Sequence, residues 1–237
     1  MAVDLDGTTS GQFLAYGDAT AVEGLTTKSV LFWLYQDTYK ASRFVSILSN
    51  SGALTTSERE DVVLNNVDGQ LAYVRNYTTT NGLWSTSTNP FTTGALHHGA
   101  VTFSDPTVIF YANGAALTTT INIAPVGTLR TGSSDNFAVG GVGGGAFQID
   151  GRIYSYLVYN RVLSAAEIAE AYASKLAIPI TRGLVFAPQL WTRGEVGNGG
   201  TLTTSHTIAD FVSGALGVPT ASPLHAQDPY LTFDGIS

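Results

Sequence analysis

The chain contains no cysteine, so no disulfide can brace it, and cysteine usage leaves its redox compartment open. Charge is scarce as well. Asp, Glu, Lys and Arg make up 12% of the 237 residues, about half the usual share, so solubility must rest on Thr, Ser, Asn and Gly. Cations are scarcer still: 11 Lys and Arg face 18 Asp and Glu, for a formal net charge of −7, and no basic cluster occurs. A phosphate backbone needs clustered Lys and Arg, which excludes nucleic acid as the partner. No apolar run approaches the roughly 20 residues that cross a bilayer as a helix. The opening stretch MAVDLDGTTSGQ has neither the basic nor the apolar segment of a secretory leader. The expectation is a product made in the cytoplasm, without an export signal and without membrane insertion.

What is present is a large apolar share, 44%, punctuated by 26 glycines, enough for one substantial core. Val3-Asp4-Leu5-Asp6-Gly7 alternates and then turns, as an opening strand does. Phe13 to Tyr16 is a second strand. Ser29 to Tyr35, SVLFWLY, is nearly continuous in apolar residues and predicts a strand covered on both faces. Phe44 to Leu48, Val62 to Leu64, Leu71 to Arg75 and Leu83 to Thr86 follow as strands, with Asp68-Gly69 and Asn113-Gly114 as hairpin turns. Ser57-Glu58-Arg59-Glu60-Asp61, the densest run of charge, reads as a solvated loop tip. Short strands at this spacing predict an antiparallel all-β sandwich.

The most ordered stretch lies between residues 137 and 172. Arg152 to Tyr159 is dense in β-branched and aromatic side chains, which suit a pleated surface. After Asn160-Arg161, Ser164 and Glu167 are spaced as a capping box, and Leu163 and Ile168 as a hydrophobic staple. A helix of about two turns is expected near residues 164–173, too short to stand without packing on a sheet. Pro179 stops any continuation.

The pattern running from Gly140-Gly141 through Phe147, Asp150-Gly151 and Ile153 to Tyr159-Asn160-Arg161, Leu163-Ser164 and Glu167-Ile168 resembles the closing strand and helix of the laminin G-like family, among the concanavalin A-like jelly-roll sandwiches. A second block, His97 to Phe103, the turn Ser104-Asp105-Pro106, Thr107 to Tyr111 and Asn113-Gly114, resembles that family's central hairpin. Leu96 stands where the family often has tryptophan, and Tyr154-Ser155 where it often has an acidic pair. The resemblance implies an antiparallel jelly-roll over residues 1–178, followed by an extension over 179–237. Within that extension, Gly183 to Pro188, Ile208 to Val212 and Tyr230 to Phe233 are strand candidates, and Leu231 to Gly235 echoes Val3 to Gly7. Either the extension returns a strand to its own sandwich or it pairs with a neighbouring subunit.

The resemblance also implies sites. Related sandwiches hold calcium with carboxylate and backbone oxygens, and Asp6 and Asp150, each preceding glycine, are the candidates; the other reading makes them turn residues. No cofactor beyond that calcium is expected. Sugar binding uses an aromatic platform beside polar groups, and Tyr39, Tyr77, Trp84 and Trp191 fall in or near predicted loops, although tryptophan more often packs in a core. His97 and His98 are adjacent on a strand and must point to opposite faces, which speaks against a metal pair. Glu58, Glu60 and Asp61 lack the alternation of carboxylates lining a glycosidase cleft, so no enzyme is expected. The leading expectation is a structural protein of a bacteriophage virion, on the capsid or in a tail or fibre, contacting other virion proteins or copies of itself. The alternative is a carbohydrate-binding or adhesion module for a surface glycan. A polysaccharide-cleaving enzyme is the remaining reading.

Overall fold

The structure, a computed structural model, describes residues 2–5, 13–17, 21–22, 24–38, 44–50, 60–65, 69–130, 137–141, 149–175, 177–188, 208–209, 212, 216–220 and 224–226. The strands are β1 (Ala2–Leu5), β2 (Phe13–Gly17), β3 (Thr27–Gln36), β4 (Phe44–Asn50), β5 (Glu60–Asn65), β6 (Gln70–Arg75), β7 (Gly82–Thr86), β8 (Leu96–Ser104) and β9 (Thr107–Ala112). They continue with β10 (Ala115–Ala116), β11 (Thr119–Ile123), β12 (Phe137–Val139), β13 (Gly151–Tyr159), β14 (Leu184–Phe186), β15 (Ile208–Ala209), β16 (Leu216–Thr220) and β17 (Leu224–Ala226). A single helix, α1 (Ala165–Ala173), lies between β13 and β14 among the described residues.

The strands form two sheets, and every pairing among the described residues is antiparallel. The first sheet runs β10-β9-β8-β3-β13-β1-β17, with β14 also on β13; the second runs β11-β7-β6-β5-β4-β12-β2-β16-β15. This is an antiparallel jelly-roll sandwich of the concanavalin A-like type. Beyond residue 178, β14 pairs with β13, β16 with β2 and β17 with β1 of the same chain. Tyr230 to Phe233 lies outside the described residues.

Period-two alternation sorts the side chains. Val30, Phe32 and Leu34 of β3, Val101 and Phe103 of β8 and Ile153, Tyr156 and Val158 of β13 point into the core between the sheets. They meet Leu14, Val62, Leu71, Tyr73, Trp84, Phe137 and Val139 of the second sheet. Phe186, from β14, joins them and packs edge-on to Phe137 with ring centroids 4.8 Å apart. Each such apolar side chain contributes about 1.5–3 kcal/mol by leaving water.

The opposite face of the first sheet is apolar too, which is why SVLFWLY reads as a continuous run. Leu31, Ala100, Tyr111, Leu157 and Tyr159 form a second cluster there, closed by Leu163, Ile168, Ala171 and Ile180. Helix α1 is therefore a lid on half of this outer face. Its start is fixed as its residues dictate: Ser164 accepts from the Glu167 N–H, and Glu167 accepts from the Ser164 N–H at 2.8 Å. Arg161 grips the Glu167 carboxylate with both guanidinium ends, at 2.6 and 3.0 Å, and together with the capping bonds holds it down to about 2. Ser29 of β3 fastens the connection to the sheet, donating to the Arg161 carbonyl at 2.8 Å and accepting from the Leu163 N–H at 2.9 Å.

One reading of the sequence needs correction, and one strand was not anticipated. Glu60 and Asp61 are not a loop tip; they open β5, opposite Arg75 and Val74 of β6. The alternating strand Val62 to Leu64 extends back over them because backbone pairing with β6 does not require apolar side chains. The segment after Gly114, unremarked in the sequence, adds β11, whose Ile121 and Ile123 are exposed at the end of the second sheet.

Candidate functional site

The half of the first sheet's outer face that α1 does not cover bears a ledge of aromatic and charged side chains. The register builds it. On β3, β8 and β13, Trp33 pairs with His98 and with Ser155, while Tyr35 pairs with Leu96 and with Arg152. Paired residues share a face. Trp33, Tyr154, Tyr35 and Leu96 pack together as a third apolar cluster, separate from the two cores.

Tyr172, in the last turn of α1, reaches over this cluster. Its ring stacks on Trp33 at 5.8 Å with 19° between planes, and it remains 40% exposed. Trp33 below it is buried. The Asn113-Gly114 turn sets the position of Tyr172: both residues have positive φ, 48° and 82°, and a Cβ on Gly114 would come within 3.0 Å of the Tyr172 ring. Asn113 also ties the turn to β8, donating from its N–H to the His98 carbonyl at 2.8 Å and accepting from the His98 N–H at 3.0 Å.

His98 lies beneath, its ring 5.2 Å from Trp33 and 6.0 Å from Tyr172. It is 1% exposed, its Nδ1 has no hydrogen-bond partner, and burial pushes it down to about 4. His97 points the other way, beside Phe91, where its Nε2 accepts from the Thr92 N–H at 3.0 Å. The two rings therefore do not converge, as the strand period requires.

At the far end of the ledge the guanidinium of Arg152 stands over the Tyr35 ring, 5.0 Å from its centroid, and 3.9 Å from the Asp37 carboxylate. The side chains of Arg152 and Asp37 are 24% and 39% exposed. Thr38 donates its hydroxyl to Asp150, and the Asp37 N–H donates to the Asp150 carbonyl at 2.9 Å. The half-exposed Tyr172 ring and this pair of opposite charges lie over neighbouring outward positions of β3, Trp33 and Tyr35, which are two residues, ~7 Å, apart along the strand. Such an arrangement can pack the apolar face of a small ring and exchange hydrogen bonds with its rim.

Of the side chains expected from the sequence to bind ligand, Trp84 and Tyr77 are elsewhere. Trp84 is 1% exposed and packs on Tyr73 and Phe103 in the central core. It points inward because Gly82 leaves room for it: a Cβ there would lie 2.1 Å from the indole. Tyr77 is buried too, its hydroxyl donated to Asp105 at one end of the sandwich, and burial raises its pKa. Neither offers a ring face to solvent. Tyr39 and Trp191 lie outside the described residues.

Of the calcium candidates, Asp150 is a turn residue that accepts from Thr38. Leu5, which precedes Asp6, pairs with Gly151, which follows Asp150; Asp6 itself lies outside the described residues. No group of three or more His, Cys, Asp or Glu comes together among the described residues. One carboxylate does not define a calcium site. No helix among the described residues is long and apolar enough to cross a membrane.

The two facing antiparallel sheets, with one capped helix closing an outer face, define a concanavalin A-like jelly-roll. A laminin G-like family model, described as the concanavalin A-like lectin/glucanases superfamily, matches residues 6–169, and the chain belongs to this family. No curated protein matches it in sequence. Solved structures share its fold at low identity. The carbohydrate-binding module 40 of the Ruminococcus gnavus IT-sialidase, bound to α2,3-sialyllactose, is 17% identical with a TM-score of 0.56, over 72% of this chain and 96% of that one. A Bacteroides ovatus protein described as a candidate for carbohydrate binding is 14% identical with a TM-score of 0.65, over 96% of this chain and 60% of that one. The heptameric SAP-like pentraxin of Limulus polyphemus is 13% identical with a TM-score of 0.55, over 92% and 93%.

Proposed function

We propose that the protein is a non-catalytic carbohydrate-binding module that holds its ligand on the ledge of the first sheet. The observation that carries this reading is the half-exposed Tyr172 ring, backed by Trp33, on the same outer sheet face as the Arg152–Asp37 pair, which stands over Tyr35. A pyranose has an apolar face for the ring and hydroxyls for the pair, and charge-assisted hydrogen bonds are the stronger kind. The two acids at this end already have partners, Asp37 with Arg152 and Asp150 with Thr38, an arrangement suited to holding a ligand. Two structures of the same fold, described above as carbohydrate-binding, support the reading. The virion role expected from the sequence draws no support from the fold, which serves in unrelated settings.

The test is a glycan array followed by titration calorimetry on the best ligand. Tyr172→Ala and Arg152→Ala should each weaken binding at least tenfold, about 1.4 kcal/mol, while the melting profile stays cooperative. Native protein that binds no glycan, or variants that bind as tightly as native protein, would sink the proposal.

A further inference from the structure

We infer that the ledge selects uncharged, hydroxyl-rich sugars and turns away those bearing sialic acid, uronic acid or sulfate. This deepens the carbohydrate-binding reading and rests on it. The charge balance of the ledge argues for it. Arg152 is the one cation of the sheet surface there among the described residues. Two carboxylates accompany it: Asp37 at 3.9 Å and Asp150 two positions earlier on the same stretch of chain. The whole chain is negative, at −7.

An anionic sugar would have to displace Asp37 from Arg152 and then remain within a few ångströms of its carboxylate. A hydroxyl meets no such conflict. It can donate to the Asp37 carboxylate and accept from the Arg152 guanidinium at once, since it is both donor and acceptor. The guanidinium is also held in place over Tyr35, which limits its swing toward a competing anion. Lys175, exposed at the end of α1 three residues past Tyr172, is the nearest other cation along that helix, and its replacement supplies the control.

The experiment compares matched oligosaccharides on one array: neutral galactose-, glucose- and mannose-terminated chains against the same chains carrying sialic acid, glucuronic acid or sulfate. The expected result is binding to at least one neutral series, with its charged counterparts at least tenfold weaker. Asp37→Asn, a change at a half-exposed side chain, should narrow that gap to threefold or less, and Lys175→Gln should leave it unchanged. Charged chains that bind as well as or better than neutral ones would overturn the selectivity while leaving the carbohydrate-binding module standing. A gap that Asp37→Asn does not narrow would overturn its electrostatic origin. Absence of binding to every series would remove the module reading and the selectivity together.

Discussion

The two halves of the first sheet's outer face are built from the same three strands yet have opposite fates. Over Leu31, Ala100, Leu157 and Tyr159, helix α1 excludes water and makes a small second core. Two residues further along β3, Trp33, Tyr35 and Leu96 continue the same apolar stripe, where the Tyr172 ring stacks on Trp33 and charge from Arg152 and Asp37 fills the margin. The length of α1 decides where one half ends. Nine residues span about 13 Å, so a helix started by the Ser164 cap runs out at Tyr172, just as it reaches the ledge. The covered half supplies stability, and the other half carries the half-exposed side chains on which the proposed binding rests.

The comparison breaks most severely if the lid is loosened. Ile168 is fully buried against the covered half, and Ile168→Ala should cost about 2–5 kcal/mol in a denaturant titration. Because Tyr172 rides on the same helix, glycan affinity should fall with it. Undiminished affinity in a clearly destabilised variant would show that Tyr172 is not positioned by the lid.

The next effect comes from the boundary between the halves, at His98. Its ring is buried among Trp33 and Tyr172 and lies near 4, below its ordinary 6.5, so the fold favours the neutral form. The unfolded chain then binds more protons between those values. Stability contributed by neutral His98 is present above about pH 6.5 and is lost as pH falls toward and through about 4. At about 1.4 kcal/mol per unit, the loss is roughly 3 kcal/mol. Stability measured from pH 7 to 4 should slope downward, and His98→Gln should flatten most of that slope. His97, also lowered by burial, leaves a shallower remainder. An unchanged slope in the variant would remove His98 as its source.

Much of this was legible beforehand, and the illegible part has a physical reason. The capping box at Ser164 and Glu167, the staple of Leu163 and Ile168 and the strand from Arg152 to Tyr159 are local chemistry, fixed by residues a few positions apart. The same holds for positive φ at Asn113-Gly114 and for His97 and His98 facing opposite ways. The ledge is not local. SVLFWLY shows that β3 has two apolar faces, but nothing within it says how far a helix some 130 residues later will cover the outer one. Trp33 and Tyr35 therefore read as core and Trp84 as a platform, whereas the structure puts Trp84 inside and Tyr35 at the margin. The room that draws Trp84 inward comes from Gly82, two residues earlier on the same face of β7.

The smallest expected effect separates the halves most cleanly. Ser164→Ala removes the hydroxyl that accepts from the Glu167 N–H and donates to the Glu167 carboxylate, and should cost about 1 kcal/mol. It touches neither Tyr172 nor Arg152, so glycan affinity should stay within twofold. The cost should also be constant from pH 7 to 4, because Arg161 and the Ser164 N–H keep Glu167 ionised down to about 2, well below the window in which His98 titrates. A parallel drop in stability at every pH, with affinity preserved, is the result that a lid and a ledge with separate tasks require. If affinity fell together with stability, the cap would be setting the position of Tyr172, and the outer face would act as one unit.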